Sequence, residues 1–245
     1  MKYLVCVNKT PDTTAKISFK NDGKEFDDSG VQYIMNPYDE WYALVRALEL
    51  KEANGGEVVL INVGGPENDT VIRKGLAIGG DKAVRINGSG DSFYVASQIA
   101  NYAKDNNFDI IFAGKESIDY NGSEVPAMVA ELLDLPFISY GIKLEMEGET
   151  ATVTRDVEGG VEIAEVNTPF VISAAKGMAE QRIPNMRGIM MAKKKPLDVV
   201  EPTSVEARVE ISSFELPPPK AEVKLVDPEN MDELVRLLHE EAKVI

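Results

Sequence analysis

The sequence predicts an α/β fold, with a doubly wound and mostly parallel sheet, a small antiparallel meander and an extended C-terminal arm. Short apolar runs alternate with helical patterns through the first half of the chain. These runs are apolar on both faces, which is typical of parallel strands that are covered by helices on either side. After residue 142 the pattern changes to short alternating segments with glycine-rich turns, which indicates antiparallel strands.

The parallel part of the sheet is predicted from the first half of the chain. Its four strands lie at residues 3–7, 57–63, 82–86 and 109–113. Apolar residues recur at helical spacing over 38–51 and 71–78, and Asp91 is a good N-cap for a third helix that runs to about Asn106. A fourth helix follows the fourth strand, with Ser123 as its N-cap and Pro126 in its first turn.

The second half of the chain predicts the meander and the arm. The segments IKLEMEG, TATVTRDVEGG and VEIAEV predict the meander, and residues 168–174 return as a buried strand. Prolines then accumulate, and residues 228–243 form an amphipathic helix. This tail has too few apolar residues to form a hydrophobic core of its own. We therefore divide the chain into an α/β domain, 1–195, and an arm, 196–245, that wraps around this domain or a partner chain.

Composition excludes several classes of function. The chain has 245 residues and a formal net charge of -15, and a surface this acidic repels nucleic acid. Its only cysteine is Cys6, in the first strand, and its only histidine is His239, in the C-terminal helix. We therefore expect no metal site and no Ser-His-Asp triad, and we expect the protein to work in the reducing cytoplasm. No run approaches the roughly 20 apolar residues of a membrane span, so no membrane insertion is expected.

The candidate ligand site lies at one edge of the predicted sheet. Ligands of doubly wound sheets bind beyond the carboxyl ends of the strands, where strand order reverses, so the loops after strands one, two and four should converge on a nucleotide. The last of these loops, GKESIDYNGSEVPAM at 114–128, opens a helix whose N–H groups and dipole suit a phosphate. GSGDS at 88–92 looks like a pyrophosphate loop, but it follows the third strand, and we interpret it as a structural helix cap. No GxGxxG follows the first strand, so the dinucleotide fingerprint is absent.

Four motifs extend over nearly the whole chain. VCVNKTPD lies at the first strand, MNPYDE precedes the first helix, GKESIDYNGSEVPAMVAELLDLP follows the fourth strand, and AEQRIPNMRGIMMAKKKPL precedes the proline-rich tail. In order and spacing they resemble the beta subunit of electron-transfer flavoproteins. The resemblance implies a Rossmann-like, adenine nucleotide alpha hydrolase-like domain at 1–195 that binds a nucleotide and includes a partner-recognition loop at about 178–195. It also implies that the arm, 196–245, wraps the partner subunit.

The resemblance implies an electron carrier without substrate chemistry of its own. The chain would form a heterodimer with an alpha subunit that holds most of one shared FAD, and would itself bind a structural AMP. Electrons would pass from flavin dehydrogenases, such as the acyl-CoA dehydrogenases of fatty acid oxidation, to a quinone oxidoreductase or another acceptor.

Site residues are implied by position in the motifs. The cofactor contacts would be Cys6, Asn36, Pro37, Tyr38, Asp39, Gly64, Gly114, Lys115, Ser117, Asp119, Tyr120, Asn121, Gly122, Ser123, Glu124 and Val125. Tyr38 would approach the flavin ring. Partner recognition would involve Arg182, Met186, Arg187, Ile189, Lys193 and Lys194. Met186 would be the apolar anchor that enters a dehydrogenase pocket.

The nucleotide loop departs from the family pattern. Where that pattern continues Asn-Gln-Thr-Gly, this chain has SEVP at 123–126, which lacks the threonine hydroxyl and, at Pro126, a backbone N–H. Valine at the threonine position occurs in electron-bifurcating relatives, which use NADH and bind a second FAD in place of AMP. Those relatives carry Gly-Asp where this chain has Tyr120 and Asn121. AMP is favoured, and a bifurcating beta subunit with a second FAD is the alternative.

Two other classes of protein remain as hypotheses. A universal-stress-type ATP-binding protein would need a GxxG phosphate loop followed by Gly-Ser or Gly-Thr, and the chain lacks this pattern. An ATP-dependent amidotransferase domain would need its phosphate loop after the first strand, whereas GSGDS follows the third. Neither class accounts for the motif at 178–195 or for the proline-rich tail.

Overall fold

The computed structural model describes residues 1–220 and 222–245. In chain order its elements are β1 (Lys2–Cys6), β2 (Lys9–Pro11), β3 (Phe19–Lys20), β4 (Glu25–Phe26), β5 (Tyr33–Met35), α1 (Asp39–Asn54), β6 (Glu57–Val63), α2 (Asp69–Ile78), β7 (Lys82–Ile86), α3 (Ser92–Lys104), β8 (Ile110–Gly114), α4 (Val125–Leu133), β9 (Phe137–Glu147), β10 (Thr150–Val157), β11 (Gly160–Asn167), β12 (Phe170–Ala174), α5 (Met186–Ala192), β13 (Leu197–Val200) and α6 (Met231–Arg236). A 3₁₀ turn at Pro66–Asn68 precedes α2, and a π-helical turn at Leu237–Ala242 follows α6.

The central sheet has nine strands, in the order β11-β10-β9-β12-β8-β1-β6-β7-β13. Neighbouring strands from β9 to β13 in this order are parallel, and β10 pairs antiparallel with both β9 and β11. The chain moves from β1 through β6 to β7 on one side, and then returns to β8 on the other side of β1. Strand order therefore reverses between β1 and β8. The predicted α/β fold with its doubly wound sheet and meander is confirmed.

Helices cover both faces of the sheet because successive residues of each central strand point to opposite faces. Tyr3 packs with α1 and α2 in one core, whereas Leu4 packs with α3 and α4 in the other. Both of these side chains are fully buried. Removing an aliphatic or aromatic side chain of this size from water contributes about 1.5–3 kcal/mol to folding.

Most predicted element boundaries agree with the structure, but one predicted helix cap is wrong. β6 and β7 have the predicted bounds, and the Asp91 carboxylate caps α3 by accepting the Tyr94 N–H at 2.8 Å. Ser123 does not cap α4, because the helix begins at Val125 with Glu124 in the N-cap position. A cap at Ser123 would need an N–H from the second or third residue after it, and the third is Pro126, which has none.

The C-terminal arm lies along its own domain as far as Phe214. Thr203 donates its N–H to the side-chain oxygen of Gln98 at 2.9 Å. The Asp91 carboxylate accepts the N–H groups of residues 208 and 209 at 2.6 and 2.8 Å. The Phe214 ring stacks on Phe19 with 5.0 Å between the centroids. Beyond this segment the predicted helix, 228–243, begins later than expected, at Met231, and α6 continues into the π-helical turn that ends at Ala242; none of these residues is buried.

Asp91→Ala is expected to release the arm and to weaken α3 together, because one carboxylate holds both segments. Hydrogen–deuterium exchange should rise over residues 203–214 and in the first turn of α3, and the thermal midpoint should fall. Asn230→Ala is the control, because it removes the cap of the exposed helix α6 and should change exchange only there. Unchanged exchange over 203–214 in Asp91→Ala would show that docking of the arm does not depend on this carboxylate.

Candidate functional site

An open cleft of about 330 Å³ lies where strand order reverses, beyond the ends of β1 and β8. Four segments line it: residues 6–9 after β1, 61–63 at the end of β6, 89–92 before α3, and most of 113–126 after β8. Doubly wound sheets bind their ligands at this position. The loops after the first, second and fourth parallel strands thus lie together, and the loop after the third joins them.

The start of α1 approaches the end of β8 very closely, and a glycine permits this contact. A Cβ atom on Gly114 would lie 2.9 Å from Cγ of Glu40 and 3.1 Å from Cβ of Asp39. Any larger residue at position 114 would push α1 away from the sheet. The close packing buries the carboxyl groups of Asp39 and Glu40 beside the cleft.

Asn36 holds the loop after β8 through two hydrogen bonds of its side chain. Its side-chain N–H donates to the carbonyl of Glu116 at 2.9 Å, and its side-chain oxygen accepts the N–H of Ile118 at 3.1 Å. Asn36 is completely buried and does not line the cleft. Its amide therefore determines the shape of the loop and stays out of reach of a ligand.

Glu40 is the buried acid of the cleft. Its carboxylate accepts the N–H of Asn8 at 2.6 Å, and burial raises its pKa to about 8. Burial, with a smaller contribution from Glu40, raises the pKa of Cys6 to about 12, so the cysteine lines the cleft as a neutral thiol. Burial also raises the pKa of Asp39 to about 6, although the nearby Lys115 opposes this shift. At neutral pH the Glu40 carboxyl group is therefore mostly protonated, whereas Asp39 is mostly ionised.

The rim of the cleft carries charges of both signs. Lys9 and Lys115 are its cations; Nζ of Lys115 lies 3.1 Å from the Glu116 carboxylate, and Nζ of Lys9 lies 4.3 Å from the centroid of the Tyr33 ring. The acidic side chains at the rim are Asp91, Glu116, Asp119 and Glu124. An anionic ligand would thus meet two lysines within an otherwise acidic margin.

The predicted cofactor residues divide into two groups. Those that line the cleft are Cys6, Gly114, Lys115, Ser117, Asp119, Tyr120, Gly122, Ser123, Glu124 and Val125. Those that do not line it are Asn36, Pro37, Tyr38, Asp39, Gly64 and Asn121. Gly64 instead packs against the Asn68 side chain, where a Cβ would lie 2.0 Å from the amide nitrogen. Asn121 has a left-handed backbone, with φ 51°, and donates its N–H to the Ser117 carbonyl at 2.9 Å, so it closes the turn.

Tyr38 lies outside the cleft, at the N-cap of α1. Its backbone has φ 63°, in the left-handed region that a bulky residue rarely adopts, and its side chain is 54% exposed. Such strain persists only where the surroundings enforce it, and it occurs most often at functional positions. The local structure thus presents this ring to solvent.

Several residues of the cleft were missed from the sequence. Glu40 belongs to MNPYDE, but a glutamate in the first turn of an amphipathic helix normally faces water. The GSGDS segment was interpreted as a helix cap, which is confirmed by the Asp91 hydrogen bond, yet residues 89–92 also line the cleft. The order of the parallel strands could have indicated this, because the end of β7 lies at the same edge of the sheet as the ends of β1 and β6.

A second cavity of about 570 Å³ adjoins the first and has an aromatic lining. Its rings are those of Phe19, Phe26, Tyr33, Tyr120 and Phe214. The two spaces share three lining residues, Lys9, Asp119 and Tyr120. One extended ligand could therefore occupy both.

The predicted recognition loop contains a helix, which corrects the expectation that Met186 lies in a loop. α5 begins at Met186 because the Asn185 side chain caps it, accepting the N–H of Gly188 at 2.8 Å. Met186 is 73% exposed, and the side chains of Arg187, Ile189, Lys193 and Lys194 are exposed as well. Arg182 is different, because its guanidinium group is held by both carboxylate oxygens of Glu52, at 2.6 and 2.9 Å.

Membrane-spanning helices and metal-binding clusters are both absent from the described residues, 1–220 and 222–245. None of their helices is both long enough and apolar enough to cross a membrane. These residues also contain no group of three or more His, Cys, Asp or Glu side chains that could hold a metal ion.

Comparison with known proteins gives a consistent result. A model of the electron transfer flavoprotein domain matches residues 24–205. The chain is similar to the electron transfer flavoprotein subunit beta of Bacillus subtilis strain 168, with 40% identity over an alignment of 260 positions that covers 100% of both chains. It is 41% identical to the subunit beta of Syntrophomonas wolfei, over 90% of this chain and 88% of the relative. It is also 32% identical to the acryloyl-CoA reductase electron transfer subunit gamma of Anaerotignum propionicum, over 82% of this chain and 78% of the relative.

Glu40→Gln is expected to flatten the dependence of stability on pH. Between the ordinary pKa of a glutamate, roughly 4.3, and the pKa of Glu40 in the fold, about 8, the native state holds a proton that the unfolded state has released. The free energy of unfolding should therefore fall as pH rises through this window, by at most about 1.4 kcal/mol per pH unit.

Urea unfolding between pH 7 and pH 8 measures this slope where Asp39, whose pKa is about 6, is already mostly ionised. Glutamine keeps an oxygen acceptor for the Asn8 N–H but cannot titrate, so the variant should lose the Glu40 part of the slope. Identical slopes for the wild type and the variant would mean that Glu40 is ionised throughout.

Proposed function

The chain belongs to the electron-transfer flavoprotein family, and we propose that it is the beta subunit of a heterodimer that carries electrons between flavoproteins and holds a structural AMP in its cleft. The observation that supports this most directly is the cleft beyond β1 and β8, which the family's nucleotide motif at 114–126 lines. A subunit of this kind supplies binding, position and electrostatics, whereas the flavin supplies the capacity to accept and release electrons.

The dimensions and chemistry of the cleft fit an adenine nucleotide. Its volume of about 330 Å³ lies at the lower end of the range for small-ligand sites, about 300–1,000 Å³. Ile61, Val63 and Ala113 give it an apolar floor that suits a nucleobase. Lys9 and Lys115 at the rim can face a phosphate, and the N-terminus of α4 adds its dipole. Neutral Glu40 and neutral Cys6 limit the repulsion that a buried carboxylate and a thiolate would exert on the nucleotide.

The shared FAD is proposed to be held chiefly by the alpha subunit, with Tyr38 of this chain against its flavin ring. Tyr38 supports this assignment because its strained backbone presents the ring outward, away from its own cleft. The arm beyond Phe214 supports a heterodimer, because it exposes apolar residues such as Leu225 and Val223 that the described residues leave uncovered. We place the rest of the arm, including α6, against the alpha subunit.

The partners at the other surface are proposed to be flavin dehydrogenases, such as acyl-CoA dehydrogenases, with a quinone oxidoreductase or another protein as the acceptor. Met186 supports this proposal as an apolar side chain exposed at the start of α5. The lysines at 193 and 194 are exposed at the other end of the same helix. In a chain of net charge -15 they form a local basic area that could guide an acidic partner.

A second candidate is a bifurcating beta subunit with a second FAD in place of AMP. The aromatic cavity favours it, because a flavin ring could stack among Phe19, Tyr33 and Phe214 while the adenine end of the same molecule occupies the cleft. Lys9 and Tyr120 belong to both spaces and lie along such a path. This arrangement predicts two FAD molecules and no AMP in each heterodimer.

Asp119→Ala is expected to lower the nucleotide content of the heterodimer and its thermal midpoint together. A ligand that binds only the folded state stabilises it by roughly 2.7 kcal/mol at a hundredfold excess over its Kd. A variant that binds the ligand more weakly loses part of this stabilisation. Nucleotide released on denaturation can be counted by chromatography, and the midpoint can be measured on the same samples. Asp105→Ala, an exposed aspartate at the end of α3, is the control. Full occupancy and an unchanged midpoint in Asp119→Ala would remove this residue from the site.

Met186→Ala is expected to weaken coupling to the dehydrogenase and to leave flavin content, AMP content and thermal midpoint unchanged. An apolar anchor in a partner pocket can contribute more than about 2 kcal/mol to association, which is roughly thirtyfold in Kd. The measurement is the KM of the dehydrogenase for the heterodimer. Met191→Ala is the matched control, because this methionine is also exposed but lies about 140° further around α5. Equal effects of the two variants would contradict a specific anchor at Met186.

A further inference from the structure

The recognition segment, residues 178–195, contains the short helix α5, which presents Met186 at its first residue. A helix of this length does not hold its shape in water by itself. Ala192 is the only residue of α5 that is buried. The conformation of α5 must therefore come from contacts with the rest of the domain, and these contacts lie at three places.

The first contact fixes the entry to α5 from α1. The indole N–H of Trp41 donates to the carbonyl of Arg182 at 3.0 Å, and the Trp41 ring is only 8% exposed. The guanidinium group of Arg182 then forms two hydrogen bonds to the Glu52 carboxylate, at 2.6 and 2.9 Å. The backbone carbonyl and the side chain of Arg182 thus both bond to α1, at Trp41 and at Glu52, which lie three turns apart on that helix.

The second contact brings α5 against the backbone of α2. A Cβ atom on Gly188 would lie 2.5 Å from the carbonyl oxygen of Ala77, closer than side-chain carbons approach. Glycine at 188 therefore allows an approach that any other residue would prevent. This explains why a glycine, a poor helix former, stands inside so short a helix.

The third contact fixes the exit from α5. The guanidinium group of Arg73, on α2, donates to the carbonyls of Ala192 and Lys195 at 2.7 and 2.6 Å. In return Nζ of Lys195 donates to the carbonyls of Leu76 and Gly80 at 2.9 and 2.6 Å. The C-terminal ends of α2 and α5 thus cap each other. Lys195 differs from its neighbours Lys193 and Lys194, which remain exposed.

We propose that Arg182, through its bidentate bond to Glu52, is a positioning residue that preorganises α5 for docking and does not itself contact the dehydrogenase. The proposal rests on the proposed function, in which Met186 is the docking anchor. Ordering a mobile side chain or segment at an interface costs free energy that association must offset, and a segment already ordered avoids that cost. Loosening α5 therefore weakens docking and leaves electron transfer within the docked complex unchanged.

Glu52 separates this role from direct contact. If Arg182 met an acidic group on the dehydrogenase, removing the charge of Glu52 would leave the guanidinium group only its longer contact with Glu49, at 3.9 Å. The group would then be more available to the partner, and docking would stay the same or improve. If Arg182 positions α5, Glu52→Gln and Arg182→Gln both remove the bidentate ion pair, although glutamine at 52 keeps one acceptor oxygen, and docking weakens in both variants. The two roles thus predict changes of opposite sign for one substitution.

The experiment compares heterodimers in steady-state assays with an acyl-CoA dehydrogenase. Three carry one substitution each: Arg182→Gln, Glu52→Gln or Met186→Ala. Two more combine Met186→Ala with Arg182→Gln or with Glu52→Gln. Arg182→Gln and Glu52→Gln should each raise the KM for the heterodimer roughly threefold to tenfold, with kcat, flavin content and thermal midpoint unchanged. Adding either substitution to Met186→Ala should raise the KM further by much less, because both act through the same anchor. Lys143→Gln is the matched control, since it removes one charge from the exposed ion pair with Glu145 on β9; it should leave the KM unchanged.

An unchanged or lowered KM in Glu52→Gln would overturn the positioning role. A raised KM in Met186→Ala together with an unchanged KM in Arg182→Gln would also overturn it, and would leave the proposed function intact. An unchanged KM in Met186→Ala would overturn the anchor itself and this proposal with it.

Discussion

The close packing of α1 against the end of β8 is the contact on which the functional parts of this protein depend. Gly114 allows it, since a side chain there would meet the backbone of Glu40. The contact places the segment that carries Asn36 against the loop after β8, and it buries Glu40 beside the cleft. The same helix, α1, carries Trp41 and Glu52, which hold the entry to α5. One helix therefore fixes both the proposed nucleotide site and the proposed docking segment.

Burial of the Glu40 carboxyl group reduces the negative charge beside the cleft of this acidic protein. A carboxyl group in a low-dielectric environment favours its neutral form, and this effect raises the pKa values of both Asp39 and Glu40. The acidic groups that stay exposed at the rim can be screened by water and salt. The net charge of the chain is thus a poor guide to the potential within the cleft, where Glu40 is mostly neutral at neutral pH and two lysines, Lys9 and Lys115, are among the lining residues.

The sheet could be predicted from sequence because its parallel strands are mostly apolar on both faces and are separated by amphipathic helices. Individual side chains in the site were harder to assign, because their roles depend on contacts distant in sequence. Asn36 binds loop atoms 80 residues away and Arg182 binds Glu52 across 130 residues, and no local pattern carries that information. α5 was missed because Pro184 and Gly188 normally favour a loop, whereas here Gly188 is required by the contact with Ala77.

We propose that this chain holds one AMP beside the single FAD of the heterodimer. The measurement that tests it most directly is the release of nucleotides by denaturing the purified heterodimer, with AMP and FAD counted against protein by mass spectrometry. We expect one FAD and one AMP for each heterodimer. One FAD with no second nucleotide would contradict the assignment of the cleft, and two FAD without AMP would contradict the AMP assignment in favour of the bifurcating arrangement.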